Sequence, residues 1–213
     1  MRPRRIFVAG ATGVTGRQVL SRARHLQLPV VPHVRPERAP VSNLGAEAAV
    51  FPLSDQTALT KELRGCTTVM QLIGTTRKRF AQGDTYETSD VGTTRDLVQA
   101  SLSAGIDHFI LLSSLGAGSP VGAYLKAKAR AEELVRNSGI PFTIFRPSAF
   151  IGGGHHPPPG MATLTGWLHL ERWKPIPVED LAAALAHVAL LRACLGEILE
   201  GNSLWNAVRA AKA

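Results

Sequence analysis

The chain has 213 residues, 45% of them hydrophobic and 19% charged, which suits one globular domain with a proper core and excludes any need for disulfides or a structural metal. Its two cysteines, Cys66 and Cys194, stand far apart, and no apolar run reaches the roughly 18–20 residues of a membrane span, so a reduced, cytoplasmic, non-exported protein is expected. The net charge of +8 is concentrated in residues 1–40, where eight arginines face the single acid Glu37; with no aromatics interleaved except Phe7, the pattern disfavours nucleic acid and suits a phosphate-rich cofactor.

Strand and helix alternate from the start, which predicts an α/β fold: a single Rossmann-type, doubly wound, mostly parallel sheet over residues 1–213. Residues 5–9 read as a strand buried on both faces, with Ile6-Phe7-Val8-Ala9 its continuous apolar run. Residues 14–27 place Val19, Leu20, Ala23 and Leu26 on one helical face with arginines opposite. A second strand spans Val30 to Val34 despite Pro32, and a third spans Ala48 to Leu53. Asp55 to Arg64 is a short helix, Thr68 to Ile73 a fourth strand, and residues 74–88 a polar loop. Residues 91–104 form a helix with Leu97, Ala100, Ser101 and Ala104 inward, followed by a fifth strand from His108 to Leu112. The helix over 124–138 is stopped by Gly139, with Pro141 just beyond, and Phe142 to Phe145 is a sixth strand. The glycine–proline cluster from Gly152 to Gly160 excludes a regular element. Residues 150–176 are expected to be a small substrate or lid segment, its later part loosely helical. A helix over Glu179 to Arg192 and a small strand and turn, Ile198 to Gly201, complete the pattern.

Gly10-Ala11-Thr12-Gly13-Val14-Thr15-Gly16 follows the first strand and opens the first helix. In this spacing the first glycine permits a tight turn, the second lets backbone approach a pyrophosphate, and the third lets helix and strand pack closely. The anion then sits on the helix N-terminus. The second strand leads into Arg35, with Arg38 three residues on, where an acid would bind the ribose of NAD. A guanidinium there suits a 2′-phosphate, so NADP(H) is favoured over NAD(H). Leu53, Gly74 and Thr75, at the ends of the third and fourth strands, are expected to line the cofactor.

Tyr124 and Lys128 lie four apart, on one helical face, after a strand that ends in Ser113-Ser114. A phenol beside an ammonium can exchange a proton with a substrate oxygen, and a serine hydroxyl can hold that oxygen. By itself, a Tyr-x-x-x-Lys pair is common on helices.

Taken together, the glycine loop, Ser113-Ser114, Tyr124-x-x-x-Lys128, Arg146-Pro147 and Ile176-x-Val178-x-Asp180 resemble the short-chain dehydrogenase/reductase superfamily, in its extended or atypical branch. Ile73-Gly74-Thr75-Thr76-Arg77 and Leu112-Ser113-Ser114-Leu115-Gly116-Ala117 are similar to Tat-interacting-protein-like and NmrA-like NAD(P)-binding proteins. The resemblance implies Tyr124 as acid/base, Lys128 as its partner and ribose ligand, and Ser114 as holder of the substrate oxygen. The family's aspartate after the third strand, which meets the adenine amino group, falls on Pro52.

Other groups carry weaker signals. His155, His156 and His169 lack a patterned carboxylate or thiolate, so no metal is expected. Trp167 and Trp173 suit either a pocket cover or a lid anchor, and Arg77-Lys78-Arg79 either an anionic substrate or a solvated loop. The expected function is an NADP(H)-dependent reductase of a small carbonyl-like acceptor. The alternatives are a non-enzymatic NADP(H)-sensing regulator or assembly factor with a protein partner, and a flavin or biliverdin-type reductase that works by positioning alone.

Overall fold

The computed structural model describes residues 4–44, 47–74, 85–153 and 171–213. The strands β1 (Ile6–Ala9), β2 (Val30–Val34), β3 (Ala49–Val50), β4 (Thr68–Gln71), β5 (His108–Leu112), β6 (Phe142–Phe145) and β9 (Glu197–Leu199) form one sheet in the order β3-β2-β1-β4-β5-β6-β9. Every neighbouring pair is parallel. The direction of winding reverses between β1 and β4, so their C-terminal ends open the crevice in which such sheets bind ligands.

Two apolar layers cover the sheet because side chains alternate along each strand. Ile6 and Val8 face the layer that holds α1 (Val14–His25), α5 (Val178–Leu191) and α6 (Asn202–Ala210). Phe7 and Ala9 face the layer that holds α2 (Gln56–Leu63), α3 (Thr93–Ala104) and α4 (Gly122–Arg136). The short pair β7 (Phe150–Ile151) and β8 (Ile176–Pro177) lies outside the main sheet. Pro32 is tolerated inside β2 because its outer neighbour pairs only with His33 and Val34.

Several elements differ from the sequence expectation. The third strand shrinks from Ala48–Leu53 to two residues, since Pro52 lacks a donor and its carbonyl closes a turn with the Asp55 amide at 2.9 Å. The helix expected from residue 91 is extended backward by a π-helical turn, Glu87–Gly92. Thr85 and Thr88 start it by exchanging amide-to-hydroxyl hydrogen bonds of 3.0 Å in both directions. After β9 the chain forms α6 where only a turn was expected. Leu204, Trp205, Ala207 and Val208 are its buried stripe, and the Trp205 indole donates to the Glu171 carbonyl at 3.1 Å.

Candidate functional site

The glycine loop is shaped by contacts that no larger residue would survive. Gly10 has φ +91°, and a Cβ there would stand 2.9 Å from the backbone of Leu72 and Ile73. A Cβ on Gly16 would lie 2.2 Å from the Gly10 carbonyl oxygen, so the third glycine lets α1 start against the end of β1. Gly13 caps α1, and no side chain caps that helix and no acid occupies its first turn. The N-terminal amides and the positive end of the dipole are thus left for an anion, which is the chemistry a dinucleotide pyrophosphate requires. Val14 packs under Gly153, where a Cβ would come within 2.1 Å of its methyl carbon, while Thr15 and Gly16 are buried.

A cavity of about 380 Å³ opens beside this loop. Of the residues expected to meet a cofactor, Gly10, Thr12, Gly13, Arg35, Arg38, Leu53 and Gly74 line it. Thr75 lies outside the described residues, as do Arg77, Lys78, Arg79, His155, His156, Trp167 and His169. Trp173 is half exposed. The Arg35 guanidinium pairs with Glu37 at 3.1 Å, at the cavity rim. His33 forms part of the wall; its Nε2 donates to the Phe51 carbonyl at 2.7 Å, and burial lowers its pKa, which keeps the ring neutral. Asp96 of α3 lines the same cavity. Neither His33 nor Asp96 was singled out from sequence.

Lys128 stands beside Gly74, and neither it nor Ser114 nor Tyr124 is among the residues that line the cavity. The Lys128 ammonium would be 3.6 Å from a Cβ on Gly74. It is buried, forms an ion pair of 2.8 Å with Asp90 Oδ1, and donates to the Leu112 carbonyl at 3.1 Å. Burial alone would lower its pKa, but the charges of Asp90, Tyr124 and Glu132 and the Asp90 hydrogen bond outweigh it and hold the ammonium above the ordinary lysine value. Asp90, only 1% exposed, is the buried partner that the sequence does not single out. A lone acid between Ser89 and Val91 reads as solvated, and only its position on the π-helical turn brings it under Lys128. The Tyr124 ring packs against Tyr86, centroids 5.4 Å apart. The Ser114 hydroxyl donates to the Leu115 carbonyl at 3.4 Å.

The neighbouring Ser113 and Arg146 belong to a network centred on Glu132, whose charge also acts on Lys128. Ser113 donates to Glu132, which Arg146 grips through Nε at 2.9 Å and Nη2 at 2.5 Å. Arg146 also reaches Glu200 at 3.3 Å, and Arg172 meets Glu200 at 2.7 Å. This network fixes the end of β6 and the foot of α4, and so the helix that carries Tyr124 and Lys128. No group of three or more potential metal ligands occurs among the described residues, and none of their helices is long and apolar enough to cross a membrane.

The NAD(P)H-binding family model matches residues 10–190. The (4-alkanoyl-5-oxo-2,5-dihydrofuran-3-yl)methyl phosphate reductase of Streptomyces griseus is 30% identical over 148 residues, covering 68% of this chain and 48% of that protein. The photosystem II assembly factor Ycf39 of Trieres chinensis is 30% identical over 151 residues, covering 70% of this chain and 46% of that one. The chain thus spans about half the length of these two relatives. A candidate NAD-dependent epimerase/dehydratase from Bacillus halodurans shares the fold with a TM-score of 0.72 at 21% identity, covering 97% of this chain and 99% of its own. With the glycine cradle in place on a parallel Rossmann sheet, the chain belongs to the NAD(P)H-binding family, among the atypical short-chain dehydrogenase/reductases.

Proposed function

We propose that the chain is an NADP(H)-dependent reductase of a small carbonyl-like acceptor. The observation that carries this reading is the placement of the buried Lys128 ammonium directly behind Gly74, on the same helical face as Tyr124. The Lys128 ammonium donates to the Leu112 carbonyl and forms an ion pair with Asp90, which leaves donor capacity for a cofactor ribose hydroxyl. NADPH, when bound, supplies the hydride. Tyr124 gives its phenolic proton to the acceptor oxygen, with the ammonium at its side stabilising the phenolate left behind. The Ser114 hydroxyl gives up its long bond to Leu115 and donates to the same oxygen. At the other end of the cavity Arg35 and Arg38 hold the 2′-phosphate, Arg35 exchanging Glu37 for it. Similarity to the dihydrofuranyl phosphate reductase supports reduction as the reaction class.

A second reading, a cofactor-sensing assembly factor, is supported by the similarity to Ycf39 and by the inward turn of Ser114 toward its own backbone. One experiment separates the two: NADPH oxidation with a panel of carbonyls, quinones and flavins, by the parent and by Tyr124→Phe. The reductase reading expects turnover with a carbonyl that falls about 10²–10⁴-fold in the variant while NADPH affinity is retained. Turnover that survives the substitution supports the positioning-only reductase. No turnover by the parent on any acceptor leaves the assembly-factor reading.

A further inference from the structure

The adenosine end of the cavity lacks the carboxylate expected at the end of β3, because Pro52 stands there. Two acids line the cavity: Glu37, which is paired with Arg35, and one on another element. Asp96, on α3, lines the cavity together with Pro52, Leu53 and Ser54. The two walls are tied together. The Pro52 carbonyl accepts the Asp55 amide at 2.9 Å, Gln56 opens α2 one residue later, and the Gln56 side-chain amide donates to the Asp96 carbonyl at 3.3 Å.

The Asp96 carboxylate has no hydrogen bond or ion pair among the described residues; the charge that acts on it is that of its neighbour Arg95. Burial raises its pKa, with Arg95 opposing, so the group is held partly out of water without a partner of its own. A role as a helix N-terminal acid does not account for it, since the π-helical turn continues α3 backward and Gly92 already has helical backbone angles.

With the pyrophosphate on the glycine loop, the adenosine ribose lies at the end of β2 and the base beyond it, toward the β3–α2 turn and α3. A purine carrying a 6-amino group presents two N–H donors to that wall. We propose that Asp96 accepts a hydrogen bond from the adenine 6-amino group, so that α3 reads the base in place of the residue after β3. This rests on the cofactor-binding reading above. It makes Asp96 a specificity residue that distinguishes 6-amino from 6-oxo purine dinucleotides.

The test is equilibrium binding of NADPH and of its deamino analogue, in which hypoxanthine replaces adenine, to the parent, Asp96→Ala and Asp96→Asn. A carboxylate facing the 6-oxo group sets two acceptors against each other, so the parent should bind the analogue about tenfold or more weakly than NADPH. Asp96→Ala should lose about that factor for NADPH, not lose it for the analogue, and so bind both alike. Asp96→Asn, which keeps an acceptor and adds a donor, should discriminate less than the parent and bind the analogue better. Parent binding that ignores deamination, or an alanine variant that still discriminates, overturns the assignment while leaving the cofactor reading intact. Failure of the parent to bind either dinucleotide overturns both.

Discussion

The two ends of β5 each bury a titratable group, and they meet the cost in opposite ways. At the C-terminal end the Leu112 carbonyl receives Lys128, which keeps its charge because Asp90 is buried with it. At the N-terminal end His108 is fully buried beside Arg192 and sheds its charge: burial first, and Arg192 second, push its pKa down to about 4. The Thr143 hydroxyl donates to the Cys194 carbonyl at 2.9 Å, so it accepts from His108 Nε2, also at 2.9 Å, and fixes a neutral tautomer. A charge worth keeping in the interior is paired, and one that serves only packing is discharged. The crevice end of the sheet is therefore where chemistry is expected.

The largest effect should come from unpairing the charge. Asp90→Leu leaves an uncompensated ammonium and should cost about 3–5 kcal/mol in urea unfolding, and Asp90→Leu/Lys128→Met should recover most of it. Because the Lys128 pKa is raised, the stability linked to its protonation is complete below the ordinary lysine value and is lost as pH rises through the raised one. A single variant as stable as the double would remove the claim that the pair is a coupled unit.

The His108 end should give a smaller, acid-dependent effect. Its pKa is lowered, so its contribution is complete above about 6.5 and is lost as pH falls toward 4, by at most about 3 kcal/mol. Between pH 7 and 4 the parent should lose about that much more stability than His108→Leu. Parallel pH profiles would break the contrast between the two ends.

Smallest of all should be the effect at the exposed rim. Arg35→Ala should weaken NADPH about tenfold and NADH hardly at all, because hydrogen bonds to a charged group are discounted by solvent there. Arg38 shares the cavity, so Arg35→Ala/Arg38→Ala should show the larger loss, and added salt should erode NADPH binding more steeply than NADH binding. Equal losses for both cofactors would withdraw the NADP(H) preference.

The five central strands were legible because buried parallel strands are short apolar runs, and the glycine loop because its spacing is imposed by backbone contacts at Gly10 and Gly16. The Tyr124–Lys128 pair was legible as one helical face. Asp90, Asp96 and His33 were not, since each reads locally as an ordinary polar residue and acquires its place only through the π-helical turn, the α2–α3 contact and the β2–β3 packing. The last helix, α6, was missed because Gly201-Asn202-Ser203 reads as a turn, although Leu204, Trp205 and Val208 already carried its stripe. Glu132 and Arg146 show the converse: Arg146-Pro147 looked like a family motif, and its guanidinium proves to brace α4.

The reductase reading and the reading of the adenine both require that the glycine loop hold a nicotinamide dinucleotide. A thermal melt with NADPH, NADH or ATP tests it most directly, since a ligand that binds only the native state adds RT ln(1 + [L]/Kd), about 2.7 kcal/mol at a hundredfold excess. A clear rise in Tm is expected with NADPH, a smaller one with NADH and the least with ATP; no rise with either reduced dinucleotide would rule out dinucleotide binding at the loop.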